Sequence, residues 1–171
     1  MSAHESVLLI PALEMVPAVE EFRVRYDPSS RAGVPPHITI IYPFLNPDQL
    51  TNHKLGELDR LLETVEAFEY RLNAVREFEQ GVLYLAPHPV QPFMRVTNLV
   101  SQHFNVLPYG GAFPTLVPHL TVIQSAPERE RRRIRALLKG VLPRSGRASE
   151  AWLMIGHNET GWKMEHSIRF R

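Results

Sequence analysis

The sequence contains no cysteine among its 171 residues. This absence excludes a disulfide framework, a thiolate zinc site and a cysteine nucleophile. The sequence also lacks any apolar run close to the roughly 20 residues that are needed to cross a bilayer. The apolar segment 7–13 is short and is interrupted by Pro11, so we interpret it as a first strand and not as a signal peptide. We therefore expect a cytoplasmic protein that makes no membrane contact.

Neither sign of charge is in excess. The chain has 19 Lys+Arg and 18 Asp+Glu, which leaves a formal net charge of +1. A nearly neutral protein has no overall field that attracts nucleic acid, so an RNA substrate would need a local basic patch. The arginine-rich run 129–135 is one candidate for such a patch. On a helix, however, these charges are more typical of a solvated face.

Length and composition favour a single compact unit. Apolar residues make up 44% of the chain and charged residues 22%, which is close to the average for globular proteins. A chain of this length supports one sizeable core or two small lobes that share an interface. We expect residues 1–171 to form one domain with two lobes that interleave in sequence. We further expect a monomer that needs no obligate protein partner.

A short motif occurs twice. Residues 36–41 read Pro-His-Ile-Thr-Ile-Ile and residues 118–123 read Pro-His-Leu-Thr-Val-Ile. Because side chains alternate between the two faces of a strand, His37 and Thr39 share one face, and so do His119 and Thr121. The apolar residues between them line the opposite face. Each copy therefore predicts a buried strand that exposes one histidine and one threonine.

The elements around the motifs also follow a repeated order. Strand, helix, motif strand and helix, followed by further strands, describes the first part of the chain, and a similar order describes the rest. This order predicts an α+β fold with two pseudo-symmetric lobes. Two antiparallel sheets would line a central cleft with the helices outside, and each lobe would contribute one motif. The helix after the second motif should begin with a capping box at residues 125–128 and end before Gly140.

Two histidines in one cleft suit chemistry at a phosphodiester. One imidazole can take a proton from the attacking oxygen while the other gives a proton to the leaving oxygen, since the ordinary pKa of histidine is about 6.5. Thr39 and Thr121 could donate hydrogen bonds to the non-bridging oxygens and stabilise the charge of the transition state. This scheme needs neither a metal nor a cofactor. The residues do not decide which histidine is the base and which is the acid.

Other interpretations of the motif remain open. A lone His-x-Thr in an apolar strand is most often a half-buried histidine bonded to a neighbour. Two copies with the same flanking proline favour a site, because core packing does not require repeated polar residues on one face. A nucleotide- or RNA-binding module with weak catalysis is the main alternative to an enzyme.

The paired motifs at His37 and His119 resemble the His-x-Thr-x signatures of the two-histidine (2H) phosphoesterase superfamily, in particular its 2′-5′ RNA ligase-like and cyclic phosphodiesterase branch. The resemblance extends over nearly the whole chain, including residues 40–44, residues 109–113 and Trp162. It implies metal-independent chemistry on 2′,3′-cyclic or 2′-5′ phosphodiesters of nucleotides or RNA, by hydrolysis or reversible ligation, in RNA processing. It also implies that His37 and His119 are the acid/base pair and that Thr39 and Thr121 bind the phosphate.

Four further residues are candidate substrate contacts. Tyr42 and Tyr109 flank the motifs and could stack on a base, as aromatic residues do in many nucleotide sites. Arg25 and Arg31 precede the first motif and are candidates for binding a phosphate. None of the remaining histidines has the spacing of a metal site such as His-Glu-x-x-His, so no metal-binding residues are predicted.

Overall fold

The computed structural model describes residues 4–171, and in this range eight strands form two four-stranded antiparallel sheets. Sheet A has the strand order β2-β1-β7-β8, and sheet B has the order β5-β4-β3-β6. The strands are β1 Glu5–Pro11, β2 His37–Ile41, β3 Phe68–Glu77, β4 Leu83–His88, β5 Leu120–Ile123, β6 Arg144–Ala148, β7 Glu150–His157 and β8 Gly161–Arg169. Each sheet thus has one motif strand, β2 or β5, at its edge.

The helices cover one face of each sheet. They are α1 Val16–Tyr26, α2 Pro28–Arg31, α3 Asn52–Leu62, α4 Gln91–Phe104 and α5 Glu128–Val141. Helices α3 and α4 pack on sheet A, whereas α1 and α5 pack on sheet B. The helix α1, which connects β1 to β2 of sheet A, therefore covers the other sheet. We call the face of each sheet that points away from its helices the cleft face.

The main hydrophobic core lies between the helices and the sheets. It takes alternate residues from the strands, such as Leu8 and Ile10 of β1 and Leu83 and Leu85 of β4, all of them fully buried. The same core takes one stripe from each helix, because apolar residues three or four apart share a helix face. The predicted α+β fold, with two antiparallel sheets and helices outside, is confirmed by this arrangement.

Several local boundaries differ from the sequence prediction. Asn46 caps a short 3-10 turn, and α3 begins after Thr51, whose hydroxyl accepts from the Lys54 amide. The capping box expected at residues 125–128 is absent, because α5 follows Pro127 without a side-chain cap. Gly140 lies within the last turn of α5 instead of beyond it.

The C-terminal part contains a strand that the sequence pattern did not predict. Strand β6 has the sequence Arg-Ser-Gly-Arg-Ala, which lacks the β-branched and aromatic residues typical of strands. It forms because it pairs with β3 along residues 68–72. Tertiary pairing therefore overrides a weak local propensity here. Within residues 4–171 no helix has the length and apolar character to span a membrane.

Candidate active site

The two motif strands lie next to each other at the centre of the molecule, where the edges of sheets A and B contact. His37 is the first residue of β2, and His119 immediately precedes β5. The proline before each histidine is buried, whereas both histidines are half-buried. A proline at this position needs no ladder partner and restricts the chain that enters the strand. The fold therefore brings together the two motifs, which are far apart in sequence.

Strand β2 contains a bulge directly after its threonine. Thr39 lies opposite Leu9 of β1, and Ile41 lies opposite Leu8, which leaves Ile40 as the extra residue. The Thr97 hydroxyl of α4 donates a buried hydrogen bond of 3.1 Å to the Ile40 carbonyl. This contact gives the carbonyl of the extra residue a hydrogen-bond donor.

Strand β5 contains a bulge at the equivalent place. Thr121 lies opposite Tyr84 of β4, and Ile123 lies opposite Leu83, which leaves Val122 as the extra residue. Bulges bend a strand and re-aim its side chains, and they are frequent beside functional sites. The pseudo-symmetry of the two halves therefore extends to the register of each residue around the motif.

Both histidines are held in the same way. His37 Nδ1 lies 2.8 Å from the Pro35 carbonyl oxygen, and His119 Nδ1 lies 2.7 Å from the Val117 carbonyl oxygen. A carbonyl can only accept a hydrogen bond, so Nδ1 must carry the hydrogen in both rings. The lone pair of each neutral imidazole is therefore on Nε2. Each ring is oriented and its tautomer is set by the backbone two residues earlier.

The environment favours the neutral form of both imidazoles. Burial is the main cause that lowers the pKa of His37 to about 4; the positive charges of Arg23 and His119 act in the same direction, while the Pro35 hydrogen bond and Asp27 oppose them. Burial also lowers the pKa of His119 below its ordinary value.

A buried ion pair lies behind the first motif. The Arg23 side chain is fully buried, and its Nη2 donates to the Asp27 carboxylate at 3.1 Å and to the Val34 carbonyl at 3.1 Å. Val34 immediately precedes Pro35, which holds the His37 ring. Sequence reasoning did not identify Arg23, although its spacing of four residues from Asp27 on α1 is typical of an ion pair.

Two aromatic rings flank His119. The Phe78 ring lies 5.1 Å from the His119 ring at 87°, and the Tyr84 ring lies 5.5 Å away at 66°. Phe78 and Tyr84 stack on each other at 4.2 Å. Neither was predicted as a site residue. Tyr84 alternates with Leu83 and Leu85 along β4, but this alternation does not show which strand lies beside Tyr84.

Tyr109 precedes the second motif in the sequence, but the fold places it near Thr39 of the first motif. Burial raises the pKa of Tyr109, and the nearby Thr39 side chain opposes this effect. The Tyr109 backbone amide donates to the Tyr42 carbonyl at 2.7 Å. The residue adopts φ 54°, the left-handed conformation that non-glycine residues rarely adopt. The hydrogen bond from the Tyr109 amide helps to hold this backbone conformation.

Tyr42 belongs to the cleft face of sheet A. Its hydroxyl donates to the Glu5 carboxylate at 2.5 Å, and its ring meets the edge of the Trp162 ring at 6.2 Å. Burial, with the bond to Glu5, raises the pKa of Tyr42 to about 12. The hydroxyl is thus occupied by Glu5, and the ring is the part that could contact a ligand.

The arginines proposed from the sequence lie at the C-terminal end of α1 and in α2. Arg31 Nη1 donates to the carbonyls of Val24 and Arg25 at 3.2 Å each, and the Arg25 guanidinium lies 5.3 Å from the Tyr26 ring centre. Contacts within α1 and α2 therefore account for the positions of both side chains. A role for Arg25 or Arg31 as a substrate contact stays a prediction.

The arginine-rich run on α5 forms ion pairs. Arg131 and Arg135 both pair with Glu77, while Arg132 pairs with Glu128 and Arg133 with Glu130. Much of the positive charge of α5 is therefore balanced by nearby carboxylates. Among residues 4–171, no group of three or more histidine, aspartate or glutamate side chains is placed to hold a metal ion.

Comparison with known proteins identifies the family. The family model described as "2'-5' RNA ligase superfamily" matches residues 11–160. A protein of Geobacillus sp. (strain WCH70) named "Putative phosphoesterase GWCH70_0799" is 25% identical over 126 residues, which cover 72% of this chain and 70% of that protein.

Solved structures share the fold at low sequence identity. Apo LigT of E. coli is 17% identical, with a TM-score of 0.61 and coverage of 99% of each chain. TT0787 of Thermus thermophilus is 16% identical, with a TM-score of 0.63 and coverage of 96% of this chain and 97% of that one. The resemblance seen in the motifs is thus confirmed by the family model and by the fold. The chain belongs to the 2′-5′ RNA ligase superfamily of 2H phosphoesterases, an enzyme superfamily.

Proposed function

We propose that this protein is a metal-independent phosphodiesterase, or reversible 2′-5′ RNA ligase, that acts on 2′,3′-cyclic or 2′-5′ phosphodiesters of nucleotides or RNA. The main support for this proposal is that the two imidazoles form equivalent hydrogen bonds. Each Nδ1–H is fixed by a carbonyl two residues earlier, which leaves Nε2 of His37 and of His119 to exchange protons. A pair of histidines prepared in the same way on two adjacent strands suits an acid and a base acting at one phosphate.

We assign His37 as the base and His119 as the acid for hydrolysis of a cyclic phosphate. The low pKa of His37 keeps its Nε2 unprotonated at neutral pH, as a base requires. Water attacks phosphorus and gives a proton to His37 Nε2. The bond from phosphorus to the leaving ribose oxygen breaks, and that oxygen takes a proton from His119 Nε2. Proton exchange with solvent then restores both rings.

The binding of the substrate would prepare the acid. Burial lowers the pKa of His119, so much of this residue is neutral at pH 7 before substrate binds. A phosphodiester carries a negative charge, and an opposite charge nearby favours the protonated imidazole. The bound phosphate would therefore raise the pKa of His119 and supply the proton that the leaving oxygen needs.

The threonines would bind the non-bridging oxygens. Thr39 and Thr121 lie on the same strand faces as the histidines and occupy equivalent places before the two bulges. Tyr109 lies near the Thr39 side chain and would limit the orientations of its hydroxyl. Fixed donors of this kind stabilise charge that develops in the transition state.

Relatives of the same fold support a nucleotide substrate. Crystal structures of E. coli LigT include complexes with 3'-AMP, ATP and NADP+. We extend this preference for nucleotides to the present chain. Because the site takes one motif from each sheet, we propose that residues 1–171 act as one catalytic domain and that a monomer is sufficient.

A product assay tests the proposal. Purified protein is incubated with 2′,3′-cyclic nucleotides and 2′-5′-linked dinucleotides, with and without EDTA, and the products are separated by chromatography. Turnover that persists in EDTA is expected. Tight binding of these ligands without any product after long incubation would instead identify a nucleotide-binding module with the fold of an enzyme.

A further inference from the structure

The two sheets have the same strand register around the site, but they carry different residue types at one equivalent position beside it. In sheet A, Leu9 lies opposite Thr39 on one side and opposite Trp152 on the other. In sheet B, Tyr84 lies opposite Thr121 on one side and opposite Arg76 on the other. Paired residues on adjacent strands share a face, so Trp152 and Arg76 occupy equivalent places on the two cleft faces. The pseudo-symmetric site therefore has an aromatic residue on one side and a cation on the other.

Arg76 is available to bind an anion. It is exposed, and within the described chain no carboxylate forms an ion pair with it. Its neighbour Glu77 points to the opposite face of β3, where Arg131 and Arg135 balance its charge. The positive charge of Arg76 on the cleft face is therefore not neutralised by the protein.

A second arginine lies further along the same face. A bulge in β3 between Leu72 and Ala74 changes the alternation, so Leu72 points into the core while Arg71, opposite His88, lies on the cleft face. Arg71 is also exposed and, like Arg76, has no ion pair in the part of the chain that the structure covers. The carboxylate of this face, Glu69, is bonded to Arg147 at 2.7 Å. The cleft face of β3 thus offers two free cations in line.

We propose that Arg76 binds a second phosphate of the substrate, the one attached to the 5′-oxygen of the nucleoside whose 2′,3′-phosphate is cleaved. This inference rests on the proposed function, in which His119 protonates the leaving ribose oxygen. The leaving nucleoside must then lie on the side of His119, over sheet B. Arg71 continues the same path and would bind the next phosphate of a longer RNA chain.

The dimensions of the sheet agree with this placement. Adjacent strands are about 4.8 Å apart, so the Cα atom of Arg76 lies about 10 Å from that of Thr121. An arginine side chain covers part of that distance toward the reacting phosphate. Between them lie Tyr84, which is only 6% exposed, and the half-buried Phe78, which stacks on it; the outer ring, Phe78, is therefore the one that could contact the sugar or base. A guanidinium is suited to a phosphate because its fork of donors matches two phosphate oxygens.

A comparison of three substrates tests the inference by kinetics. These are adenosine 2′,3′-cyclic phosphate, the same nucleotide with a 5′-phosphate, and a dinucleotide that ends in the same cyclic phosphate. The wild-type kcat/KM is expected to be about tenfold higher for the two substrates with a second phosphate. Arg76→Gln should remove that advantage and leave the simplest substrate unchanged. An advantage for the dinucleotide alone would identify the backbone phosphate of RNA as the ligand.

Salt dependence and a control variant sharpen the test. Salt screens the attraction between Arg76 and the further phosphate, so kcat/KM for the dinucleotide should fall more steeply with salt than kcat/KM for the simplest substrate, and Arg76→Gln should abolish this difference. Arg129→Gln is the matched control, because Arg129 is exposed on α5. The inference is overturned if all three substrates have equal kcat/KM in the wild type, or if Arg76→Gln lowers all three equally.

A binding experiment separates this inference from the proposed reaction. Calorimetry compares adenosine 3′-monophosphate with adenosine 3′,5′-bisphosphate, and neither ligand needs turnover. If the wild type binds the bisphosphate more tightly than the monophosphate, and Arg76→Gln binds both equally, the second phosphate site is established even if no cyclic phosphate is hydrolysed. Equal binding of both ligands would reject the site even if the enzyme is active.

Discussion

Replacement of Arg23 by methionine should destabilise the protein and change the titration of His37. The variant keeps most of the apolar stem but removes the guanidinium that bonds to Asp27 and Val34. Asp27 is only 4% exposed, so its carboxylate would lose its buried cationic partner. Breaking a buried ion pair in this way costs about 3–5 kcal/mol. The Ser29 amide and hydroxyl still donate to Asp27 at 3.0 and 2.8 Å. We therefore expect the free energy of unfolding to fall by about 3 kcal/mol, the lower end of that range.

The free energy of unfolding is measured by urea denaturation, and the pKa of His37 by NMR titration. Removal of the Arg23 charge should raise the pKa of His37, whereas Asp27→Asn should lower it, because these charges act on His37 in opposite directions. The double variant with Arg23→Met and Asp27→Asn should be more stable than Arg23→Met alone, since the fully buried carboxylate is gone and the other partner of Arg23, Glu20, is partly exposed. Arg25→Met, on the exposed side of α1, should change stability by less than about 0.5 kcal/mol. This reasoning would be refuted if Arg23→Met lowered the free energy of unfolding by less than about 1 kcal/mol, or if it left the pKa of His37 unchanged.

Three further predictions concern catalysis. As the pH is raised, kcat/KM should increase near pH 4, where His37 loses its proton, and should decrease at a pH below 6.5, the ordinary pKa of histidine, where His119 becomes neutral. An optimum above pH 8 would contradict this assignment. Thr39→Val and Thr121→Val keep the branched shape but remove a donor, so each should lower kcat by about 10²-fold or more with little change in KM; an unchanged kcat would exclude a role in the transition state. Tyr109→Phe should lower kcat less than Thr39→Val does, because it removes only a hydroxyl near Thr39 and leaves the Thr39 donor in place; an equal loss would place Tyr109 itself in contact with the reacting group.

The motif strands were predictable because their information is local. Alternation of polar and apolar residues placed His37 and Thr39 on one face, and the repeat of the pattern at His119 and Thr121 indicated a second strand of the same kind. The repeated order of elements then predicted two sheets with helices outside. These inferences need only the period of a strand and the rules of helix packing.

The surroundings of the histidines depend on contacts between distant segments. Phe78 and Tyr84 flank His119 only because β4 pairs with β5, and Arg76 shares their face only through the register of β3 with β4. The bulge after Thr121 shifts the register of β5 with β4 by one residue, and the bulge between Leu72 and Ala74 shifts that of β3 with β4. A shift of one residue exchanges the two faces of a strand. Sequence alternation alone cannot specify such a register.

Arg23 illustrates a different limit. Its position within the apolar stripe of α1, four residues after Val19, implies that it is buried, and its spacing from Asp27 implies an ion pair. What the sequence does not reveal is that the guanidinium bonds to the Val34 carbonyl, next to the residue that orients His37. This contact between α1 and the site forms because the chain turns back after α2 and brings Val34 next to Arg23.

The role of the two histidines is tested most directly by single-turnover hydrolysis of a 2′,3′-cyclic nucleotide. The enzymes compared are the wild type, His37→Ala, His119→Ala, the double variant, and His53→Ala as a control on the exposed side of α3. Each active-site substitution should lower the rate by about 10²- to 10⁴-fold, and the double variant should be little slower than the slower single variant, because the two groups act as a unit. His53→Ala should retain the wild-type rate. Wild-type turnover in either His37→Ala or His119→Ala would contradict the two-histidine mechanism.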